Sequence, residues 1–313
     1  MSGITVAVVG THGVASQLGK KSTQSDLTLF DSNHDDHHTT LVEPTQFPEK
    51  FAPLLSALAM ADRCLLIVEE LTRSVAETMA TVELFDLPTT IATGAAVGTD
   101  ELGRALRGSR LESAPRVPLD VPQLRETVDA WRAPADSGPV AVPLDHVFPV
   151  KGVGTVALGV VRRGTLRAHE QLRLWPTDKV VEIRSIQVHD VDVKEAEAGE
   201  RVGVALKGVE VDQVERGQIL APAGSLNAGA DLVGERLLPC RYYKGDWGVG
   251  SRMSVAVGMQ IVPMAVEERS GPHARIKTDR PVVYAAGQPA YLFDLNVGSG
   301  PRIVARAELT SAR

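Results

Sequence analysis

The feature that most constrains the fold is a change of period. Up to about residue 132 the chain alternates short β-branched runs with segments of helical spacing. Beyond Ala133-Pro134-Ala135-Asp136-Ser137-Gly138-Pro139, a linker by composition, the helical spacing stops and short strands punctuated by glycine take over. In the first stretch, residues 4–9 form an apolar run suited to a buried parallel strand that ends at Gly10. Residues 65–68 and 89–92 read as further strands of the same sheet. Residues 14–18 leave room for only a short helix, with Gly19 where a C-terminal cap belongs. Residues 26–30 and 39–42 read as a hairpin whose tip, 33–38, is expected to be mobile. Phe51, Leu54, Leu55 and Leu58 recur at the spacing of an amphipathic helix begun by Pro48. Ser74-Val75-Ala76-Glu77 reads as a capping box opening a helix with Val75, Met79 and Val82 on one face, and Leu124, Val128 and Trp131 mark a last helix.

After the linker, strands are expected at 140–143, 155–161, 171–174, 180–188 and 201–206, with turns at Gly152, Gly154, Gly164 and Gly199, the spacing of a closed barrel. A second β module follows from about 229, with strands at 253–257, 260–266, 281–284, 290–295 and 302–309. The expected architecture is multidomain, α/β plus all-β: a mostly parallel sheet covered by helices over 1–135, then β-barrels over 136–225 and 226–313.

Charge is spread unevenly over these modules. Residues 1–135 carry 11 basic and 18 acidic groups, 136–225 carry 11 and 13, and 226–313 carry 11 and 8, so a polyanion is repelled by the first and tolerated by the last. Two cysteines, Cys64 and Cys240, lie far apart, which argues against a disulfide framework and for a reducing cytoplasm. No run approaches 18 apolar residues and no basic leader precedes the first strand, so neither membrane spanning nor secretion is expected.

Clusters with chemical potential are few. His34, Asp36 and His38, around Asn33-His34-Asp35-Asp36-His37-His38, carry metal-binding side chains at alternating positions, but no second cluster completes a shell, and a solvated turn is the simpler reading. No Ser/His/Asp or Cys/His arrangement has the spacing of a nucleophilic site.

Residues 144–164, Leu-Asp-His-Val-Phe-Pro-Val-Lys-Gly-Val-Gly-Thr-Val-Ala-Leu-Gly-Val-Val-Arg-Arg-Gly, resemble the first half of the second domain of translation elongation factors of the EF-Tu type. Residues 196–209 and 214–220 are similar to that domain's closing strands, in the right order and at the right distance. Tyr243-Lys244-Gly245 and residues 257–263 resemble, more loosely, the third domain of the archaeal selenocysteine-specific elongation factor. The resemblance implies that the first module is a P-loop-type GTPase domain, and its motifs can be checked in turn.

A phosphate-binding loop needs two glycines separated by four residues, the second followed by Lys-Ser/Thr at a helix start, so that backbone N–H groups and the lysine wrap the phosphates and the hydroxyl reaches Mg²⁺. Here five residues separate Gly13 from Gly19, and Lys20, Lys21 and Ser22 follow the short helix, where paired lysines suit a solvated C-terminal turn as well as a phosphate contact. At the second motif, Asp-x-Pro-Gly-His-Glu-Lys in the family, the chain has Glu43-Pro44-Thr45-Gln46-Phe47-Pro48-Glu49-Lys50. Only Glu43 could stand in for the Mg²⁺-ordering aspartate, and no histidine remains. At the guanine-reading Asn-Lys-x-Asp the chain has Thr93-Gly94-Ala95-Ala96-Val97. The degenerate nucleotide-site positions are thus Gly10, Gly13, Lys20, Lys21, Ser22 and Glu43. Glu69-Glu70, after a buried strand, sit where α/β sheets often place ligands or make an ordinary turn.

The expectation is a translation-factor homologue with a decayed nucleotide site and no cofactor, acting by binding tRNA, ribosome or another factor, with no DNA or membrane partner. Two alternatives stay open: an active elongation factor taking GTP or GDP with Mg²⁺ through atypical residues, and a regulatory protein that pairs with a partner protein and meets no RNA. For RNA, Arg275, Lys277 and Arg280 are expected on an exposed loop entering a strand, with Arg302 and Arg306 on one face of the final strand. Arginines scattered over a soluble barrel and paired with Glu267, Glu268 and Asp279 are the competing reading.

Overall fold

A computed structural model of the chain describes residues 2–34, 37–134 and 136–311. It divides into two compact units, Met1–Ala133 with Cys240–Gly245 and Asp294–Val304, and Pro134–Pro239 with Asp246–Phe293 and Ala305–Arg313.

The first unit is built on a seven-stranded sheet. Its strands are β1 (Ser2–Gly10), β2 (Lys20–Gln24), β3 (Thr28–His34), β4 (His37–Glu43), β5 (Arg63–Val68), β6 (Thr89–Thr93) and β7 (Arg116–Pro118), in the order β2-β3-β4-β1-β5-β6-β7. β4, β1, β5, β6 and β7 run parallel, and β2 and β3 join as antiparallel neighbours. The helices are α1 (Ala15–Leu18), α2 (Ala52–Met60), α3 (Arg73–Phe85), α4 (Thr99–Leu106) and α5 (Val121–Asp129). Ile4, Val6, Val8, Leu41, Leu65, Ile67 and Ala92 meet Val14, Leu18, Leu124, Val128 and Trp131 in one core, the burial that makes this run of strands stable. Leu124 and Val128 lie in α5, whose N-cap Asp120 accepts from Gln123 N at 3.1 Å, and Trp131 lies just past its end.

Several local expectations are corrected. Lys20, Lys21 and Ser22 stand on β2, an edge strand, because their backbone pairs with β3 (Lys20 opposite Asp31, Lys21 opposite Phe30). Gly19 ends α1 in extended backbone, φ −143°, and is no left-handed cap; a Cβ there would lie 3.0 Å from Asp31 O. The capping box fails because α3 starts earlier: Thr72 is its N-cap, accepting from Val75 N at 3.2 Å, and Glu77 is free for another partner. α2 starts at Ala52 and is buried nearly all round, so it is a core helix where an amphipathic one was expected. The hairpin strands reach His34 and His37, which replaces most of the expected mobile tip with paired backbone.

The second unit holds two barrels. β8 (Val142–Val150), β9 (Gly154–Val160), β11 (Gln171–Trp175), β12 (Val180–Val188), β13 (Val191–Val193), β15 (Arg201–Lys207) and β16 (Ile219–Ala221) form the first, and β10 (Thr165–Arg167) and β14 (Glu195–Glu197) pair beside it as a separate two-stranded sheet. Its order β11-β16-β8-β9-β15-β12 closes because β11 also pairs with β12, and β13 continues the sheet beyond β12. The second barrel is closed in the order β17-β20-β19-β18-β21-β22, formed by β17 (Asn227–Pro239), β18 (Arg252–Val257), β19 (Gln260–Ser270), β20 (His273–Tyr284), β21 (Pro289–Phe293) and β22 (Ile303–Leu309). Trp175, Ile219 and Ala221 of the first barrel pack on Val283 of the second, so the two share an apolar seam.

Candidate functional site

The loop after β1 is the place to look for nucleotide chemistry, since the parallel strands all point their carboxyl ends there. Gly10 has φ 101°, and a Cβ on it would lie 2.1 Å from Ile67 O, so the chain leaves β1 flat against the end of β5. Thr11 N donates to Ile67 O at 3.1 Å, and the Thr11 hydroxyl accepts from Glu69 N at 3.4 Å. The first loop is thereby stitched to the second.

Gly13 N donates to the Glu43 carboxylate, Oε2, at 2.9 Å, and Glu43 is buried. His12 lies between the same carboxylate, with Nδ1 3.7 Å from Oε1, and the Phe47 carbonyl, 2.8 Å from Nε2. Bonding and charge from Glu43 push the His12 imidazole above its ordinary range, against the opposing effect of its partial burial. The helix that follows, α1, has only four residues and no side-chain cap. It therefore adds little macrodipole to the loop. Lys21 Nζ donates to Gln24 Oε1 at 2.8 Å and the Ser22 hydroxyl to Leu29 O at 3.4 Å, both contacts of the β2–β3 hairpin. Gly10 and Gly13 of the loop after β1 and Glu43 at the end of β4, all singled out in the sequence, lie together here, and they are joined by His12, which no motif signals.

The segment after Glu43 is gripped from its far side. Arg302 donates to both oxygens of Glu77 (Nε to Oε1 2.9 Å, Nη2 to Oε2 2.7 Å) and to Pro48 O at 3.0 Å, and its guanidinium stacks 5.6 Å from the ring centre of Phe47 and 4.8 Å from that of Phe51. Arg302 precedes β22, which starts at Ile303, so the expected pairing of Arg302 with Arg306 on one strand face is corrected. Where guanine would be read, Gly94 N donates to Val68 O at 2.9 Å and the space beside Gly94 is filled by Glu69.

His34 and His38 lie on the β3–β4 hairpin, His38 Nδ1 2.7 Å from Asn33 Oδ1; Asp36 lies outside the described residues. Among the described residues no group of three or more His, Cys, Asp or Glu is placed to hold a metal. No helix among them is long and apolar enough to cross a membrane.

Arg275 and Lys277 stand on β20, whose exposed face alternates with buried Ala274, Ile276 and Thr278, so the expected loop is a paired strand. The charges are matched in place. Arg275 lies 3.6 Å from Glu268, Lys277 contacts both oxygens of Asp231 at 2.8 Å, Arg280 lies 3.3 Å from Glu215, and Arg306 lies 3.7 Å from Glu308.

A charged cluster that the sequence did not signal lies in the first barrel. Asp145 is the extra residue of a bulge between Leu144 and His146, which turns its side chain inward. It takes a fork of two hydrogen bonds from Arg201 of β15 (2.6 and 2.8 Å), and His146 Nδ1 lies against its Oδ1. Burial alone would raise the Asp145 carboxyl; the charge and hydrogen bonds of Arg201 and His146 outweigh it and hold the group at about 2. Only His146 of the three keeps appreciable exposure.

Comparison with known proteins matches this architecture. Residues 154–221 match the model of elongation factor Tu domain 2. An uncharacterized protein of Methanocaldococcus jannaschii is 34% identical over 298 residues, covering 94% of this chain and 96% of its own length. The selenocysteine-specific elongation factor of the same organism is 33% identical over 125 residues, 40% of this chain and 27% of that protein. In fold, the chain is similar to the translation elongation factor SelB of Methanococcus maripaludis in complex with the GTP analogue GppNHp, with a TM-score of 0.85 at 21% identity over 99% of this chain and 79% of that one. A bacterial selenocysteine-specific elongation factor gives a TM-score of 0.82 at 16% identity over 98% and 58%. With a nearly full-length relative, a family match in the first barrel and the same build throughout, the chain belongs to the EF-Tu/SelB-like family of translational GTPases.

Proposed function

We propose that this translation-factor homologue works without a guanine nucleotide, as a binding protein that meets tRNA, the ribosome or another translation factor. The observation that carries the reading is the Glu43 carboxylate seated on Gly13 N–H. A loop that cradles phosphate must offer its N–H groups to an anion, and here a side chain of the protein supplies the anion. The residues around it fit the nucleotide poorly as well. α1 is a single turn, Lys20, Lys21 and Ser22 are on an edge strand, and residues 93–97 offer no side chain that reads guanine. Losing several charge-assisted contacts at about 1.5 to 3 kcal/mol each removes most of a nucleotide's affinity.

For RNA contact, Arg275, Lys277, Arg280 and Arg306 of the second barrel are the candidate residues, and Arg302 is set aside by its bonds to Glu77 and Pro48. Their present carboxylate partners would be exchanged for phosphates, so binding should be weak and steeply salt-dependent, with a log-log slope of about −0.7 per phosphate on single strands. The test is a tRNA titration at several salt concentrations with the native chain and with Arg275→Ala, Lys277→Ala and Arg280→Ala combined. Weaker binding and a shallower slope for the triple variant support the reading. Equal affinity, or no binding at low salt, leaves a protein partner as the better account.

A further inference from the structure

The loop after β1 and the segment between β4 and α2 are joined by the side chain of His12. His12 reaches across with both ring nitrogens, one to the Glu43 carboxylate at 3.7 Å and one to the Phe47 carbonyl at 2.8 Å. A neutral imidazole carries one N–H and can serve only one of these acceptors; the imidazolium serves both. We propose that His12 is a proton-operated clasp, holding the β1 loop on residues 43–47 by two arms while the ring is charged and giving up the arm to Glu43, with only the Phe47 bond kept, when the proton leaves. The inference rests on the reading that no nucleotide occupies this loop.

The surroundings favour the closed form. The charged groups acting on the ring are carboxylates, Glu43 at the end of β4 and Glu49 further along the same segment, and both raise its proton affinity. On its own loop the neighbours Thr11 and Gly13 are uncharged, and Thr11 is tied to the Glu69 backbone of the turn after β5. Arg302 acts on the far side of Phe47, through the ring face and Pro48 O. The segment is thus pinned from two sides, permanently by a guanidinium and conditionally by an imidazole. Because the folded protein holds the proton more tightly than a free histidine, the arm to Glu43 is fully formed below the ordinary histidine value and is lost as pH rises through the raised one.

The experiment is an NMR pH titration of the full-length chain, following the His12 ring and the hydrogen exchange of the Gly13 amide, corrected for the intrinsic pH dependence of exchange. The clasp predicts a ring midpoint above the reference 6.5, and a loss of Gly13 protection through that same midpoint. The loss should be about tenfold for each unit by which the midpoint is raised. His12→Gln, which keeps a donor for Phe47 and cannot be charged, should abolish the inflection and leave β1 core amides unchanged. A midpoint at or below 6.5, or Gly13 protection flat across it, overturns the clasp; if His12→Gln does not fold, the wild-type titration decides alone. Tight guanine-nucleotide binding would instead overturn the underlying reading, so the two failures are distinguishable.

Discussion

The loop after β1 and the first barrel present the same ancestry in different ways, and the difference is one of packing. In the barrel, two of the glycines that carry the EF-Tu likeness stand where a side chain has no room, a Cβ on Gly159 lying 2.5 Å from Pro143 O and one on Gly164, at φ 67°, 2.4 Å from Gly138 O, while Gly152 and Gly154 have open space but positive φ. In the loop, Gly10 meets the same demand against Ile67 O, while nothing lies within 4 Å of the Cβ position at Gly13. Close backbone approach fixes residues by sterics whatever the chemistry does. Lys20 and Ser22 are under no such demand and sit exposed on an edge strand.

That contrast predicts a graded set of responses. The largest belongs to the barrel's buried ion pair. Asp145→Ala strands Arg201 in the core and should cost about 3 to 5 kcal/mol in denaturant unfolding. Because the Asp145 carboxyl is held near 2, the stability it contributes is present above the ordinary carboxylate range and lost as pH falls through 2. The acid limb of the wild-type stability curve should therefore flatten in Asp145→Asn. Gly10→Ala comes next. It forces a side chain into a left-handed position and against a carbonyl, for about 2 to 4 kcal/mol in the same measurement, and a smaller loss would mean the β1–β5 contact is looser than drawn. Ser22→Ala should change stability by less than about 0.5 kcal/mol, as an exposed edge residue does, where a residue of a working phosphate site would also change nucleotide affinity.

Legibility followed the same division. β1 and β5 are apolar on both faces and announce themselves, and β6, though rich in threonine, follows a proline as a β-branched run; β2 and β7 lie at the sheet edges and carry no period, so they were invisible. β17 escaped because two bulges, at Gly229/Asp231 and Glu235/Leu238, break its alternation, and β20 because its outward arginines and lysine, behind Gly271-Pro272, imitate a loop. At the site, the order of residues offers Glu43 as the one candidate to stand in for an aspartate, but where its carboxylate turns is decided by tertiary structure. His12 has no neighbours in sequence that mark it. Asp145 and Arg201 are 56 residues apart, and only the barrel register brings them together.

The central claim, that Glu43 supplies from within the anion a phosphate would otherwise provide, is tested most directly by titrating the full-length chain with fluorescent GDP, with and without Mg²⁺. The account predicts no saturable binding in the micromolar range and no effect of Mg²⁺. A micromolar or tighter, Mg²⁺-dependent Kd would contradict it.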